Sequence, residues 1–392
     1  MTGEPFSLYA HVPFCDRKCP YCDFNTYAVA RPPEGEYVLA LRAEIESYRE
    51  HPAFVGRSIK SVFFGGGTPS VLSAEGIAAV LETVRGCFPI LDGAEITLET
   101  NPNHAEVARL TGFRAAGINR LSFGAQSFSD QTLSFLGREH NSNQAREATR
   151  VAASCGFDNI SVDIIFGVPG QTLADLESDL REALALPINH ISTYSLTIEP
   201  GTPFFQRQER GLLKLPPDER LAEMLDLVPR VLEASGFRRY EISNYAKVGC
   251  ESAHNLVYWR GGDYLGVGAG AHGYFAKYAP NSSVLSGERW SNLALPREYM
   301  DALKDERSVV SWRERIEINA LKFEFLYLGL RCIDGVSKAE YQRRFGERLE
   351  DRYGDKLDQL ERDGFVQVIG DKVSLTLSGI ALTDSVLQCL VD

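Results

Sequence analysis

Three cysteines lie close together in the segment HVPFCDRKCPYCDFN, His11 to Asn25. Cys15, Cys19 and Cys22 have the spacing C-x3-C-x2-C, and three neighbouring thiolates can bind one soft metal centre. Structural zinc would take a fourth Cys or His from a second pair, which does not occur nearby, whereas a redox-active pair would need only Cys19 and Cys22. The pattern therefore favours a 4Fe–4S cluster with one iron left open.

Polar residues and glycines follow several apolar runs, where a ligand of the open iron could be bound. In FFGGGTPS, Phe63 to Ser70, the glycine run lets the backbone approach a ligand closely. Carboxylates in apolar strands are costly to bury unless they are paired, and a guanidinium suits a carboxylate bidentately. These criteria give the candidates Glu99, Asp163 and Arg138, and Gln126, in RLSFGAQSF, is a further polar residue at a strand end.

Alternating strand and helix patterns in the first half of the chain predict βα units with a parallel sheet. We expect strands at residues 7–12, 59–64, 95–100, 118–124, 160–167 and 190–198. We expect helices at 36–50, 74–87, 106–116, 143–155 and 173–184, the last with a capping box at Thr172. Six units fit an open or partial barrel better than a doubly wound sheet, and in both folds ligands gather at the carboxyl ends of the strands.

The second half has a different pattern. A helix is expected at 216–237, followed by the glycine-rich segment 261–275 and polar loops up to about Pro296. The end of the chain reads as helix, hairpin across Gly370, and helix, which predicts a small winged-helix-like module. We place the domains at 1–300 and 301–392.

Composition limits the classes of function. The chain has 392 residues, 44% apolar content and a net charge of −12, which argues against a general nucleic-acid surface. It shows no apolar run long enough for a membrane span and no secretion signal at its start. The other five cysteines are scattered singly and are expected to be buried small hydrophobes in a reducing cytoplasm; they are Cys87, Cys155, Cys250, Cys332 and Cys389.

The cysteine motif resembles that of the radical S-adenosylmethionine (SAM) enzymes. The order of the motifs along the chain is similar to that in the HemN-like subgroup of these enzymes. The motifs are YAHVPFCDRKCPYCDF, FFGGGTPS, LETNP, RLSFGAQSF, LGREH and DIIFGVPGQT. The resemblance extends from Tyr9 to the C-terminal module. It implies a partial (β/α)6 barrel with a cluster held by Cys15, Cys19 and Cys22. The SAM site that it implies consists of Tyr9, Tyr21, Gly66, Gly67, Thr68, Glu99, Gln126, Arg138 and Asp163.

Two features indicate which branch of the subgroup the chain resembles. Coproporphyrinogen dehydrogenases have a fourth cysteine two positions after the third and an N-terminal arm, whereas this chain has Phe24 there and a short start. Both features resemble the HemW-like haem chaperones, as does HNLVYW, His254 to Trp259. That resemblance implies haem as cargo, with His254 as its ligand, and delivery to haemoproteins of the respiratory chain; His272 is a weaker candidate.

Several alternatives stay open. The chain could be an oxygen-independent coproporphyrinogen III dehydrogenase, a radical SAM enzyme for an unrelated substrate, or a non-enzymatic iron–sulfur or zinc module. We expect a chaperone without dehydrogenase activity. A homodimer and peripheral contact with a membrane-bound recipient are left open, and the acidic chain offers no basic patch for anionic lipid.

Overall fold

A twelve-stranded sheet and a separate three-stranded sheet organise this computed structural model, which describes residues 3–279 and 283–391. The strands are β1 Phe6–Val12, β2 Phe14–Cys15, β3 Tyr27–Ala28, β4 Ile59–Gly66, β5 Ile90–Thr100, β6 Arg120–Gln126, β7 Ile160–Phe166, β8 His190–Ser195, β9 Arg238–Arg239, β10 Asn244–Ala246, β11 Tyr264–Val267, β12 His272–Tyr278, β13 Val284–Asn292, β14 Val310–Glu317, β15 Val336–Ser337, β16 Val366–Ile369 and β17 Lys372–Leu375. The helices are α1 Glu34–Ser47, α2 Ala74–Cys87, α3 Val107–Ala116, α4 Asp130–Phe135, α5 Ser142–Ser154, α6 Leu173–Leu184, α7 Pro203–Glu209, α8 Asp218–Glu233, α9 Ala253–Trp259, α10 Pro296–Lys304, α11 Ile318–Gly329, α12 Lys338–Phe345, α13 Leu349–Arg362, α14 Leu377–Ala381 and α15 Thr383–Cys389.

Six parallel strands form the centre of the large sheet in the order β1-β4-β5-β6-β7-β8, which confirms the predicted α/β fold. The strands β4, β6 and β7 are buried along most of their length, as expected where helices cover a parallel sheet. The predicted capping box is present, because the Thr172 side chain accepts from the Asp175 amide and the Asp175 side chain accepts from the Thr172 amide. The barrel is open, since β1 and β8 pair with β11 and β10 instead of with each other.

The region after α9 differs from the prediction of polar loops up to Pro296. β11 pairs in parallel with β1, and β12, β13 and β14 continue the sheet as antiparallel strands. Glycines interrupt the alternation of apolar and polar residues by which a strand is predicted from sequence. Some of these positions require glycine because neighbouring side chains pack closely against the backbone. A Cβ at Gly273 would collide with the ring of Trp290, which is 2% exposed. The expectation of a loop over this stretch was therefore wrong.

The expectation for the five scattered cysteines was correct only for Cys332, which is buried. Cys389 is exposed at the end of α15, and Cys87, Cys155 and Cys250 are partly exposed. These last three lie at a helix end, just after a helix and in a loop, where neighbouring elements cover one side of the residue only. All eight cysteines are free thiols.

The two largest hydrophobic cores of the described residues lie in different parts of the chain. The larger contains residues from Phe6 to Val309 and the smaller contains residues from Leu326 to Leu390. The smaller core holds α13, the hairpin of β16 and β17, and the terminal helices, as expected for the C-terminal module. The proposed domain boundary at 300–301 falls inside α10, and the large sheet continues to Glu317. Within the described residues, no helix combines the length and apolar character needed to cross a membrane.

Candidate cluster and SAM site

The loop that carries the three cysteines begins directly after β1. Cys15 ends β2, which pairs with β3, and the Cys22 amide donates to the Cys19 carbonyl at 3.1 Å. Asn25 fixes the far end of the loop, because its amide donates to the carbonyls of Ala269 and Ala294 at 3.0 and 2.9 Å. The glycine-rich segment thus supports the cluster loop, and a Cβ at Gly270 (φ +78°) would collide with the Asn25 side chain.

Polar groups surround the thiols. Thr68 Oγ1 donates to Cys15 Sγ and Arg138 Nη1 donates to Cys19 Sγ, both at 3.5 Å, while Thr26 Oγ1 lies 4.0 Å from Cys22 Sγ. Burial raises the pKa of Cys15 to about 11 and also raises the pKa of Cys22. These thiols are therefore protonated without a metal, and binding a metal centre releases their protons.

The glycines of the FFGGGTPS segment leave space beside Cys15. The Gly67 amide donates to the Val12 carbonyl at 2.8 Å, and a Cβ at this residue would lie 2.6 Å from the Phe14 carbonyl oxygen and 3.0 Å from Cys15 Sγ. Gly66 has φ +114°, and a side chain there would collide with the ring of His11. Only glycine allows the strand end and the thiol to approach this closely.

The donor set suits a 4Fe–4S cluster better than a single ion. Iron–sulfur clusters are bound by cysteine thiolates, and three cysteines lie together here. The sulfurs of Cys15 and Cys19 accept hydrogen bonds, and Cys15 also lies beside Gly67, where a Cβ would be too close. Among residues 3–279 and 283–391, no three His, Cys, Asp or Glu side chains form a group that could hold one metal ion. A cluster does not require such convergence, because each thiolate binds a different iron.

Asn101 connects the residues that contact the cysteines, although sequence reasoning did not single it out. Its Nδ2 donates to Thr68 Oγ1 at 3.1 Å, and its Oδ1 accepts from Arg138 Nη2 at 2.6 Å. Arg138 also donates to the Gly124 carbonyl at 2.8 Å, and its buried Nε has no partner among the described residues. The position of Asn101 inside LETNP, at the end of β5, was the available signal.

Glu99 and Asp163 lie inside the barrel and repel each other. Burial, followed by repulsion from Asp163, raises the pKa of Glu99 to about 8, although its Oε2 accepts from the Gly66 amide at 3.1 Å. Burial also raises the pKa of Asp163, whose Oδ1 accepts from Ser122 Oγ at 3.5 Å. A ligand that brings positive charge or N–H and O–H donors between these carboxyls would favour their ionised forms.

The remaining SAM candidates border the same space. Gln126 ends β6 with φ +66°, and its Nε2 would lie 3.0 Å from a Cβ at Gly124. Tyr9 forms a 3.0 Å hydrogen bond between its hydroxyl and His11 Nδ1. Tyr21 packs against Phe204 beside the cluster loop, with ring centroids 6.3 Å apart. The structure thus places most of the cluster and SAM candidates at or just beyond the carboxyl ends of the strands, while Tyr9 and Asp163 lie in the middle of β1 and β7.

His254 lies deeper in the barrel and offers no free nitrogen. It is 1% exposed, its Nδ1 is 2.9 Å from Ser61 Oγ, and its Nε2 is 2.9 Å from the Tyr258 hydroxyl. Burial lowers its pKa to about 3, so the ring is neutral. In this conformation His254 does not fit the role of an iron ligand, and ligation would require α9 to move. His272 is exposed at the start of β12.

Comparisons with known proteins show the family to which the chain belongs. Residues 9–183 match the radical SAM superfamily and residues 320–382 match the HemN C-terminal domain. The chain is 38% identical to the haem chaperone HemW of Bacillus subtilis over 97% of each chain. It is 36% identical to the HemW of Escherichia coli over 98% of this chain and 97% of the relative. Among solved structures, coproporphyrinogen III oxidase (HemN) from E. coli superposes on this chain with a TM-score of 0.80. The match covers 98% of this chain and 90% of the HemN chain at 23% sequence identity, which shows that the two share a fold.

Proposed function

The chain belongs to the HemW family within the radical SAM superfamily, and from this membership we propose that it binds haem and delivers it to haemoproteins. The observation that supports this most strongly is the similarity to curated haem chaperones along nearly the entire chain. We propose haemoproteins of the respiratory chain as recipients, reached from a reducing cytoplasm, with peripheral contact where the recipient is bound to a membrane.

Membership of the superfamily implies a 4Fe–4S cluster and SAM. We propose that Cys15, Cys19 and Cys22 hold the cluster, which supplies an open iron for the methionine end of SAM. Thr68 and Arg138 would orient two of the ligand sulfurs through the hydrogen bonds that they already form.

The proposed SAM contacts divide by chemistry. Arg138 would bind the carboxylate of SAM through its guanidinium, and Glu99 would accept from the amino group. Asp163 and Gln126 would bind hydroxyl and adenine groups of SAM. The methionine end of SAM would be lined by Gly66, Gly67 and Thr68, and the nucleoside would be bordered by Tyr9 and Tyr21.

Coproporphyrinogen decarboxylation is not part of the proposed function. Phe24, at the position where the dehydrogenases have a fourth cysteine, is 63% exposed, and its carbonyl accepts from Lys18 Nζ at 3.0 Å. We expect no protoporphyrinogen when the cluster-reconstituted protein is incubated anaerobically with coproporphyrinogen III and SAM. Steady formation of protoporphyrinogen would contradict the proposed chaperone function and would show that the protein is a coproporphyrinogen III dehydrogenase.

An anaerobic haem titration followed by the Soret band tests the proposed cargo. We expect saturable haem binding by the reconstituted protein. The variant His254→Ala tests whether α9 moves so that His254 can bind the haem iron. Weaker binding in that variant would assign His254 as the ligand, whereas unchanged binding would leave it a structural residue. Absence of saturable binding by the unmodified protein would contradict the proposed function.

A further inference from the structure

A cavity outside the cluster site lies between the extension of the large sheet and the C-terminal module. Tyr264 of β11 and Tyr274 of β12 line one side, while Phe325 of α11 and Phe345 of α12 line the other. Tyr258 of α9 also borders it, and the rings of Tyr258 and Tyr264 meet edge to face at 4.7 Å. Aromatic side chains therefore form walls contributed by both domains.

Two tyrosine hydroxyls that line this cavity have no hydrogen-bond partner among the described residues. Tyr274 is 8% exposed, yet neither its hydroxyl nor that of Tyr264 hydrogen-bonds to another group in the described part of the chain. Neither oxygen is one of the fully buried polar atoms that lack a partner, so both hydroxyls are accessible from the cavity. Two phenolic donors therefore remain available to a ligand with acceptor oxygens.

Arginine donors lie beside these phenols. Arg289 uses only Nη2 to bind Glu324, at 3.0 and 2.9 Å to its two oxygens, so Nε and Nη1 have no partner among the described residues. Its guanidinium lies 6.0 Å from the centroid of the Tyr274 ring. Arg344, which also lines the cavity, binds Glu340 through Nε at 2.7 Å. Guanidinium and phenol donors together suit carboxylate oxygens.

We propose that this cavity binds the carboxylate-bearing edge of a porphyrin, an inference that rests on the proposed haem cargo. The aromatic walls would stack on the macrocycle, while Tyr264, Tyr274 and Arg289 would donate to its propionates. The cavity has a volume of about 180 Å³, below the ~300–1,000 Å³ of most cofactor sites. Only an edge of the macrocycle enters, and the rest stays outside, which suits a carrier that must release its cargo.

Metal-free protoporphyrin IX and its dimethyl ester test this proposal, because neither contains iron and only the free acid has carboxylates. Their binding to the full-length protein is followed by quenching of protein fluorescence. We expect the acid to bind about tenfold more tightly than the ester, as hydrogen bonds to charged groups predict. The double variant Tyr264→Phe/Tyr274→Phe should lose that preference, whereas the matched control Tyr245→Phe, a buried tyrosine of β10, should keep it.

A second variant fills the cavity. Ala276→Trp places an indole among the lining residues and should weaken binding of both porphyrins by about tenfold or more; its melting temperature checks that it folds. If wild-type protein binds haem but neither variant changes porphyrin binding, the cavity is not the site while the proposed function stands. If wild-type protein binds neither haem nor protoporphyrin, the proposed function itself fails.

Discussion

Glu99 illustrates how a single residue of the site depends on its surroundings. Its raised pKa means that the folded chain without ligand holds a proton that the unfolded chain releases above a pKa of 4.5. The contribution of Glu99 to stability is therefore largest at low pH and falls by about 1.4 kcal/mol per pH unit as the pH rises from about 4.5 towards 8. A ligand that keeps Glu99 ionised would reverse this trend.

The variant Glu99→Gln should therefore stabilise the protein, without SAM or cluster, more at pH 8 than at pH 5, because glutamine imitates the protonated form. Urea unfolding at the two pH values measures the difference in free energy of unfolding. The control is Asp92→Asn, an exposed carboxyl of the same strand, which should show no such trend. An equal effect of Glu99→Gln at both pH values would contradict the raised pKa.

Asn101 should contribute both to the stability of the protein and to SAM binding, because it connects Thr68 and Arg138. Asn101→Leu leaves Thr68 Oγ1 without its donor and removes an acceptor of Arg138, at a cost of about 1–3 kcal/mol in the free energy of unfolding. We also expect SAM to bind more weakly to the reconstituted variant, as measured by calorimetry. Asn103→Leu, in the same short turn, should have neither effect. Normal SAM affinity in Asn101→Leu would remove Asn101 from the site.

Residues at the carboxyl ends of the strands could be predicted from the sequence because motif and strand end coincide. Cys15, Cys19 and Cys22 were recognisable by type and spacing, and Arg138 by the fit of a guanidinium to a carboxylate. Asn101 and the hydrogen bond between His254 and Ser61 were not predictable, because both depend on contacts between segments far apart in the sequence. His254 forms hydrogen bonds to Ser61, 193 residues away, and to Tyr258, one helical turn away.

Among the elements, α9 depends on one carboxylate inside the barrel. Glu95 of β5 accepts hydrogen bonds from the amides of Ala253 and His254 at 2.9 and 3.1 Å, at the N-terminus of α9. Its Oε2 also lies 3.9 Å from Nε of Arg120, which is 2% exposed. Glu95 therefore fixes α9, which contains the HNLVYW segment, to the parallel strands, and at the same time compensates a buried cation.

Replacement of this carboxylate should release α9. Glu95→Ala leaves the Arg120 charge unpaired and the helix amides without an acceptor, so we expect a loss of about 3–5 kcal/mol in the free energy of unfolding. Hydrogen exchange of the α9 amides should accelerate more than that of α6. Glu251→Ala, in the loop before α9, is the matched control and should leave both quantities near wild type. Unchanged protection of α9 in Glu95→Ala would contradict this role.

Helices and strands were predictable where neighbouring residues in the sequence mark them, and not where they depend on pairing with a distant segment. The helices α2 and α6 begin and end where the periodicity predicts, and the six central strands lie within a few residues of their expected bounds. The extension from β11 to β14 was missed because β11 pairs with β1 across more than 250 residues, and because glycines replace the alternation that marks a strand.

At the scale of the whole molecule, the two domains meet at the walls of the porphyrin cavity, while the cluster site lies at the barrel mouth. A small core of Tyr274, Val284, Ile316 and Leu321 joins the sheet extension to α11. Haem bound at this junction would contact both domains. The order of the motifs predicted both domains, but only the folded chain shows that they share a cavity.

Direct transfer of haem is the measurement that tests the chaperone most directly. The reconstituted protein is loaded anaerobically with haem and mixed with increasing concentrations of an apo-haemoprotein, and the change in the Soret band is timed. A chaperone that hands over its cargo predicts a transfer rate that rises with recipient concentration and exceeds the rate at which haem dissociates into solution. A rate that is independent of the recipient and equal to that of dissociation would contradict the proposed function.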